Sequence, residues 1–82
     1  MMTINQAPLN KKLIVRSFQE SEVRDYTEIE SRLMLLGFLD GQTVRVAKKA
    51  PLFKEPLLIE VRGRMIALSL DEALLIKVEV VE

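Results

Sequence analysis

The sequence predicts a mainly β protein, a small five-stranded barrel with one short α-helix capping it. Short runs rich in β-branched residues alternate apolar and polar positions, as strands with one buried face do. One stretch has helical start and stop signals. In 82 residues such short, closely spaced strands do not make a two-layer sandwich. Closure into a barrel removes the exposed strand edges, and the helix plugs one end.

The strand pattern begins after the first ten residues. Residues 1–10 are polar and contain Pro8, so we expect a flexible lead-in there and one domain over 11–82. Gly63 supplies the positive φ of a tight hairpin, and residues 71–74 form one helical turn. A loop containing two prolines occupies 48–56. The predicted strands are 12–18, 43–46, 57–63, 65–70 and 76–81.

The single predicted helix covers about 27–36. Thr27 and Glu30 fit the capping-box pattern, with Thr27 as the N-cap. Gly37 ends the helix in the left-handed region. A helix of nine to ten residues is marginal in isolation, so packing has to hold it.

The helix carries more apolar residues than one buried stripe needs. Ile29, Leu33 and Leu36 fall on one face and are assigned to the core, whereas Met34 and Leu35 fall outside that face. Either the loop 50–53 covers these two side chains, or a partner does. The candidate partner-binding residues are Leu33, Met34, Leu35, Leu36, Leu52 and Phe53.

Catalytic and metal-binding chemistry lacks its usual residues. The chain has no histidine and no cysteine, which excludes the common nucleophilic triads and disfavours zinc, copper or a tight ferrous site. Its three glycines form no phosphate-binding loop. Glu60 and Glu79 could face each other on neighbouring strands, but such pairs outside a pocket are usually solvated. We therefore expect no catalytic residue, no cofactor, no metal and no enzyme activity.

Charge and hydropathy limit the classes of partner that the protein can bind. Twelve basic and twelve acidic residues give a net charge of zero, which disfavours nucleic acid as a partner. Five basic residues either form a surface for an anionic partner or, as we favour, a solvated face balanced by Glu55 and Glu60. These are Arg45, Lys48, Lys49, Arg62 and Arg64. Neither a signal peptide nor a membrane-spanning run is visible in the sequence.

The order of short motifs resembles that of the FeoA family, small cytosolic accessory proteins of bacterial ferrous iron uptake. Leu36-Gly37-Phe38 ends the helix, Gly41 lies in the following turn, and Ala50-Pro51-Leu52 precedes Pro56. These motifs are followed by "EVRG" at 60–63, "IAL" at 66–68 and "EA" at 72–73. The match covers about 32–81. Two positions depart from the family pattern, because Asp40 stands where proline is common and Phe53 where glycine is common.

The resemblance implies an SH3-like barrel and a role beside FeoB, the ferrous iron permease, whose cytosolic part the protein would contact to regulate or assemble the transporter. It also implies a cytoplasmic protein that reaches a membrane only through this partner. Two alternatives stay open. One is a stand-alone module related to the SH3-like C-terminal domain of iron-dependent repressors. The other is a small-barrel RNA binder, which the neutral charge and four aromatic residues disfavour. The sequence also leaves self-association open.

Overall fold

The computed structural model describes residues 1–20, 22, 24–50 and 55–81. Its main element is an antiparallel sheet of six strands in the order β1-β6-β2-β3-β4-β5. The strands are β1 (Met2–Thr3), β2 (Leu13–Phe18), β3 (Thr43–Lys49), β4 (Leu57–Val61), β5 (Arg64–Leu68) and β6 (Ile76–Val80). The helices are α1 (Tyr26–Leu36) and α2 (Leu70–Ala73), and a 3₁₀ turn covers Ile4–Gln6. The mainly β prediction is confirmed, with six strands in place of five.

A two-residue turn joins β4 to β5. Val61 pairs with Arg64, and the residues between them, Arg62 and Gly63, have φ angles of 52° and 78°. Two consecutive positive φ angles are typical of the turn that matches the twist of a hairpin. The predicted hairpin is therefore confirmed, and it places an arginine in the left-handed region that usually favours glycine, asparagine or aspartate.

The alternating strand residues meet in one core. Leu13 and Val15 of β2 face the same interior as Val44 and Val46 of β3, and all four are fully or almost fully buried. Strands β4 to β6, helix α1 and the segment after α1 contribute side chains to the same cluster. Among these are Leu33, Phe38, Leu57, Ile59, Val61, Leu68, Ile76 and Val78.

The N-terminal segment is part of the fold, which corrects the expected lead-in over residues 1–10. Met2 pairs with Val78 and Thr3 with Lys77, so β1 adds an edge strand to β6. Ile4 is fully buried in the core cluster. Because this burial depends on a strand at the far end of the chain, local composition gave a misleading picture of the segment.

Helix α1 begins earlier than predicted. Asp25, with φ of 61°, is its N-cap, and its carbonyl oxygen accepts the backbone N–H groups of Glu28 and Ile29 at 3.1 Å. Thr27 lies inside the first turn and is not the cap, so the predicted Thr27–Glu30 box is wrong. Glu28 still places an acid where the helix dipole favours it.

Glu60 and Glu79 do not face each other on neighbouring strands, as the sequence had suggested. They lie on β4 and β6, and β2 and β3 separate those strands in the sheet. Glu60 on β4 instead lies opposite Arg45 on β3, and the two side chains form an ion pair with Nε to Oε1 at 3.1 Å. Two carboxylates that lie apart offer no acid–base pair.

Candidate functional site

The buried face of α1 fixes the helix on the barrel. Leu33 has no exposed surface, and Ile29 and Leu36 are partly buried against the core cluster. The predicted core face is therefore confirmed. Leu33 cannot contact a partner from this position, so its place among the candidate contact residues is corrected to that of an anchor.

The end of α1 is closed by backbone hydrogen bonds. The N–H of Gly37 donates to the carbonyl oxygen of Met34, and the N–H of Phe38 donates to that of Leu33, both at 3.1 Å. Gly37 has φ of 115°, and Phe38 is fully buried. This is the Schellman pattern, which turns the chain sharply and directs the residue after glycine to the core.

Three apolar side chains around this helix end face solvent. Leu35 is 86% exposed, Met34 is 43% exposed and Leu39 is 41% exposed. We call Met34, Leu35 and Leu39 the helix-end patch. Isolated exposed apolar side chains are common, but three such side chains within six residues at one helix end form a candidate contact surface.

Leu39 was missed by the sequence reasoning. The signal was available, because two large apolar residues, Phe38 and Leu39, follow the glycine directly. When Phe38 turns into the core, the next side chain leaves it. Leu52 and Phe53 lie outside the described residues, as does most of the loop predicted to cover the patch.

The β4–β5 turn borders the helix end. A β-carbon added at Gly37 would lie 2.9 Å from Cδ of Arg62 and 3.3 Å from Cγ2 of Val61. The aliphatic part of the Arg62 side chain therefore packs beside the glycine while the residue as a whole stays exposed. This contact brings a cationic side chain next to the end of α1.

Helix α2 supports α1 from another side. Glu72 accepts the N–H of Ser69 at 2.8 Å and donates its own N–H to Ser69 Oγ at 3.2 Å, which completes a capping box. The Glu72 carboxylate also pairs with the guanidinium of Arg32. One acid thus caps α2 and ties it to the outer face of α1.

Two of the five basic residues singled out in the sequence bind groups within the chain. Arg45 pairs with Glu60, whereas the Lys49 amine donates to the carbonyl oxygens of Asn5 and Ala7 at 3.0 and 2.9 Å. Lys49 therefore fastens the N-terminal segment to β3. In the described ranges, no three or more acidic side chains are arranged to hold a metal ion. No helix in the same ranges is long and apolar enough to span a membrane.

The sequence and the fold match those of known proteins. The family model described as the FeoA domain matches residues 2–80. A solved FeoA from Stenotrophomonas maltophilia, complexed with zinc and described as an SH3 domain protein, is 37% identical. The alignment covers 96% of this chain and 91% of that chain, with a TM-score of 0.81. The chain therefore belongs to the FeoA family and has its SH3-like fold.

Two further solved structures extend the comparison. Iron(II) transport protein A from Clostridium thermocellum is 28% identical over 98% of this chain and 46% of that chain, with a TM-score of 0.83. The manganese-activated repressor ScaR in its apo form is 22% identical over 98% of this chain and 35% of that chain, with a TM-score of 0.79, and shares the fold. No curated protein matched the sequence. Family and fold together support an accessory role in ferrous iron transport.

Proposed function

We propose that this chain is a cytoplasmic accessory protein of bacterial ferrous iron uptake that acts by binding the cytosolic part of a FeoB permease. It works through contact and carries out no reaction of its own. The exposure of Leu35 at the end of α1 carries the proposal. A nearly fully exposed leucine contributes nothing to the core, but it offers a partner apolar surface to bury.

The helix-end patch is the proposed contact. Burying the exposed part of Leu35 would contribute about 1.5–2 kcal/mol to binding before the costs of association. Met34 and Leu39 add partial contacts on either side. Leu33 and Leu36 hold the helix in place, because they pack on the core. Leu52 and Phe53 remain predicted contact residues.

Rigid presentation supports this assignment. The patch lies at the end of α1, and this helix is held at three places. Leu33 packs on the core, the backbone bonds of Gly37 and Phe38 close the helix end, and the Arg32–Glu72 ion pair holds the outer face. An apolar group held in this way loses little conformational freedom on binding. A small domain can therefore bind usefully through few side chains.

The repressor-related alternative has support from the fold alone. The likeness to ScaR covers 35% of that chain at 22% identity. A module of that kind would need a separate chain to bind DNA. Binding to a DNA-binding chain and not to the permease would favour this alternative.

Calorimetric titration of the full chain into the purified cytosolic part of the permease tests the proposal. We expect saturable binding. Absence of saturable binding at high micromolar concentrations of both proteins, with the circular dichroism of each showing a folded protein, would overturn it.

A further inference from the structure

The sulfur atoms of this chain all belong to its four methionines, because the sequence has no cysteine. Met1, Met34 and Met65 are exposed, and the exposed fractions of Met34 and Met65 are similar, at 43% and 51%. Met2 is partly buried and packs against the core cluster. Oxidants in solution attack thioethers that they can reach, so Met34 and Met65 are open to oxidation, whereas Met2 is partly shielded.

Met34 and Met65 differ in what surrounds them. Met34 is part of the helix-end patch and is followed directly by Leu35, which is almost fully exposed. Met65 lies on β5, opposite Glu60 in the ladder with β4, and is outside the patch. A chemical change at Met34 therefore alters the surface proposed for the partner, and the same change at Met65 provides an internal control.

The fold does not depend on the Met34 sulfur. The part of Met34 that closes α1 is its backbone carbonyl oxygen, which accepts the N–H of Gly37 at 3.1 Å. Leu33 and Leu36 supply the side of this helix turn that packs on the core. Oxidation at the sulfur therefore changes the patch, while the helix end and the core keep their contacts.

We infer that Met34 is a site of reversible oxidation by peroxide that weakens binding to the permease; the inference rests on the proposed function. A lone pair of the sulfur attacks one oxygen of hydrogen peroxide, and the S–O bond forms as the O–O bond breaks. The released hydroxide takes the remaining peroxide proton and leaves as water. The thioether is thereby oxidised to a sulfoxide, and the peroxide is reduced.

The sulfoxide makes the patch a poorer surface for an apolar partner. Its oxygen accepts hydrogen bonds from water, and these bonds are lost when a partner buries the group. Methionine sulfoxide reductases return the thioether, so the change is reversible. Ferrous iron reduces oxygen to hydrogen peroxide while it becomes ferric, so the proposed function places the protein where this oxidant forms. Oxidation of Met34 would then release the protein from the permease.

Peroxide treatment of the full chain, followed by peptide mass spectrometry and calorimetric titration, tests this inference. We expect Met34 and Met65 to gain an oxygen faster than Met2. The oxidised wild type should bind the cytosolic part of the permease about three- to tenfold more weakly than the untreated protein. Incubation with methionine sulfoxide reductases should restore the affinity.

Met34→Leu and Met65→Leu distinguish the site from general oxidation damage. Leucine keeps an apolar side chain of similar volume and has no sulfur. Each variant is compared with itself before and after peroxide treatment. The affinity of Met34→Leu should not change, whereas Met65→Leu should lose affinity as the wild type does. Treated wild type and treated Met34→Leu should have the same melting temperature, because the loss lies in the contact and not in the fold.

Several outcomes would overturn the inference. One is an unchanged affinity of the wild type after mass spectrometry has established the sulfoxide at Met34. Another is an equal loss of affinity in Met34→Leu, or protection by Met65→Leu, since either would assign the effect to a different methionine. Oxidation of Met34 no faster than that of Met2 would show that the chain shields this thioether. A wild type that fails to bind before any treatment would instead overturn the proposed function, and this inference with it.

Discussion

Arg62 and Gly37 pack so closely that a side chain at the glycine would displace the side chain of Arg62. A β-carbon there would lie 2.9 Å from Arg62 Cδ, and the glycine φ of 115° disfavours any other residue. The end of α1 and the β4–β5 turn therefore form one structural unit. This contact places the side chain of Arg62 beside the end of α1.

Gly37→Ala should lower the free energy of unfolding by about 1–3 kcal/mol, because it adds backbone strain and a close contact with Arg62. Gly41→Ala is the matched control. Gly41 also has a positive φ, of 90°, but an added β-carbon would meet no atom within 4 Å. Urea denaturation of both variants measures the difference. Equal losses would show that the Arg62 contact imposes no constraint.

Leu33→Ala and Leu35→Ala compare a buried and an exposed leucine in the same helix. Leu33→Ala removes a fully buried side chain and should cost about 2–5 kcal/mol. Leu35→Ala should change the free energy of unfolding by no more than about 0.5 kcal/mol. The comparison uses the midpoints of urea denaturation, provided that the dependence of the unfolding free energy on urea concentration is the same in both variants. A large loss for Leu35→Ala would mean that the chain itself buries this residue.

Lys49→Met should release the N-terminal segment. The substitution keeps an unbranched side chain but removes the donor to the carbonyl oxygens of Asn5 and Ala7, at a cost of about 1–2 kcal/mol. Hydrogen exchange at Ile4 and Ala7 should accelerate. Lys48→Met, at the exposed neighbouring position, is the control and should leave exchange unchanged. Unaltered exchange in Lys49→Met would show that strand pairing alone holds the segment.

Ser69→Ala should destabilise α2 and its attachment to α1. It removes the hydroxyl that accepts the Glu72 N–H, and loss of such a cap costs about 0.5–2 kcal/mol. Ser31→Ala, inside α1, is the comparison, because alanine favours helix interiors and the Ser31 hydroxyl only bonds back to the Thr27 carbonyl. Thermal unfolding should give a lower melting temperature for Ser69→Ala than for Ser31→Ala. Equal melting temperatures would contradict the capping role.

Local signals in the sequence were sufficient for the strands β2 to β6, the hairpin and the end of α1. Gly37 and Gly63 have positive φ angles, and the glycines themselves indicate this backbone conformation in the sequence. Alternation in β3 and β4 likewise reports which face is buried. These features depend on a few adjacent residues, so one sequence predicts them.

The features that the sequence did not predict depend on distant residues or on a less common local conformation. Ile4 is buried because β1 pairs with β6, more than seventy positions later. The start of α1 depends on Asp25 adopting a positive φ, which aspartate tolerates but does not require.

The most direct test of the central claim is the affinity of three forms of the full chain for the cytosolic part of the permease. The forms are wild type, Leu35→Gln and Leu9→Gln, the last at a leucine that is 47% exposed and outside the helix-end patch. Leu35→Gln should bind about tenfold more weakly, because the partner loses the apolar surface that Leu35 offers. Leu9→Gln should bind like wild type. Equal affinities for all three, with equal stability, would contradict the assignment of the helix-end patch as the contact surface.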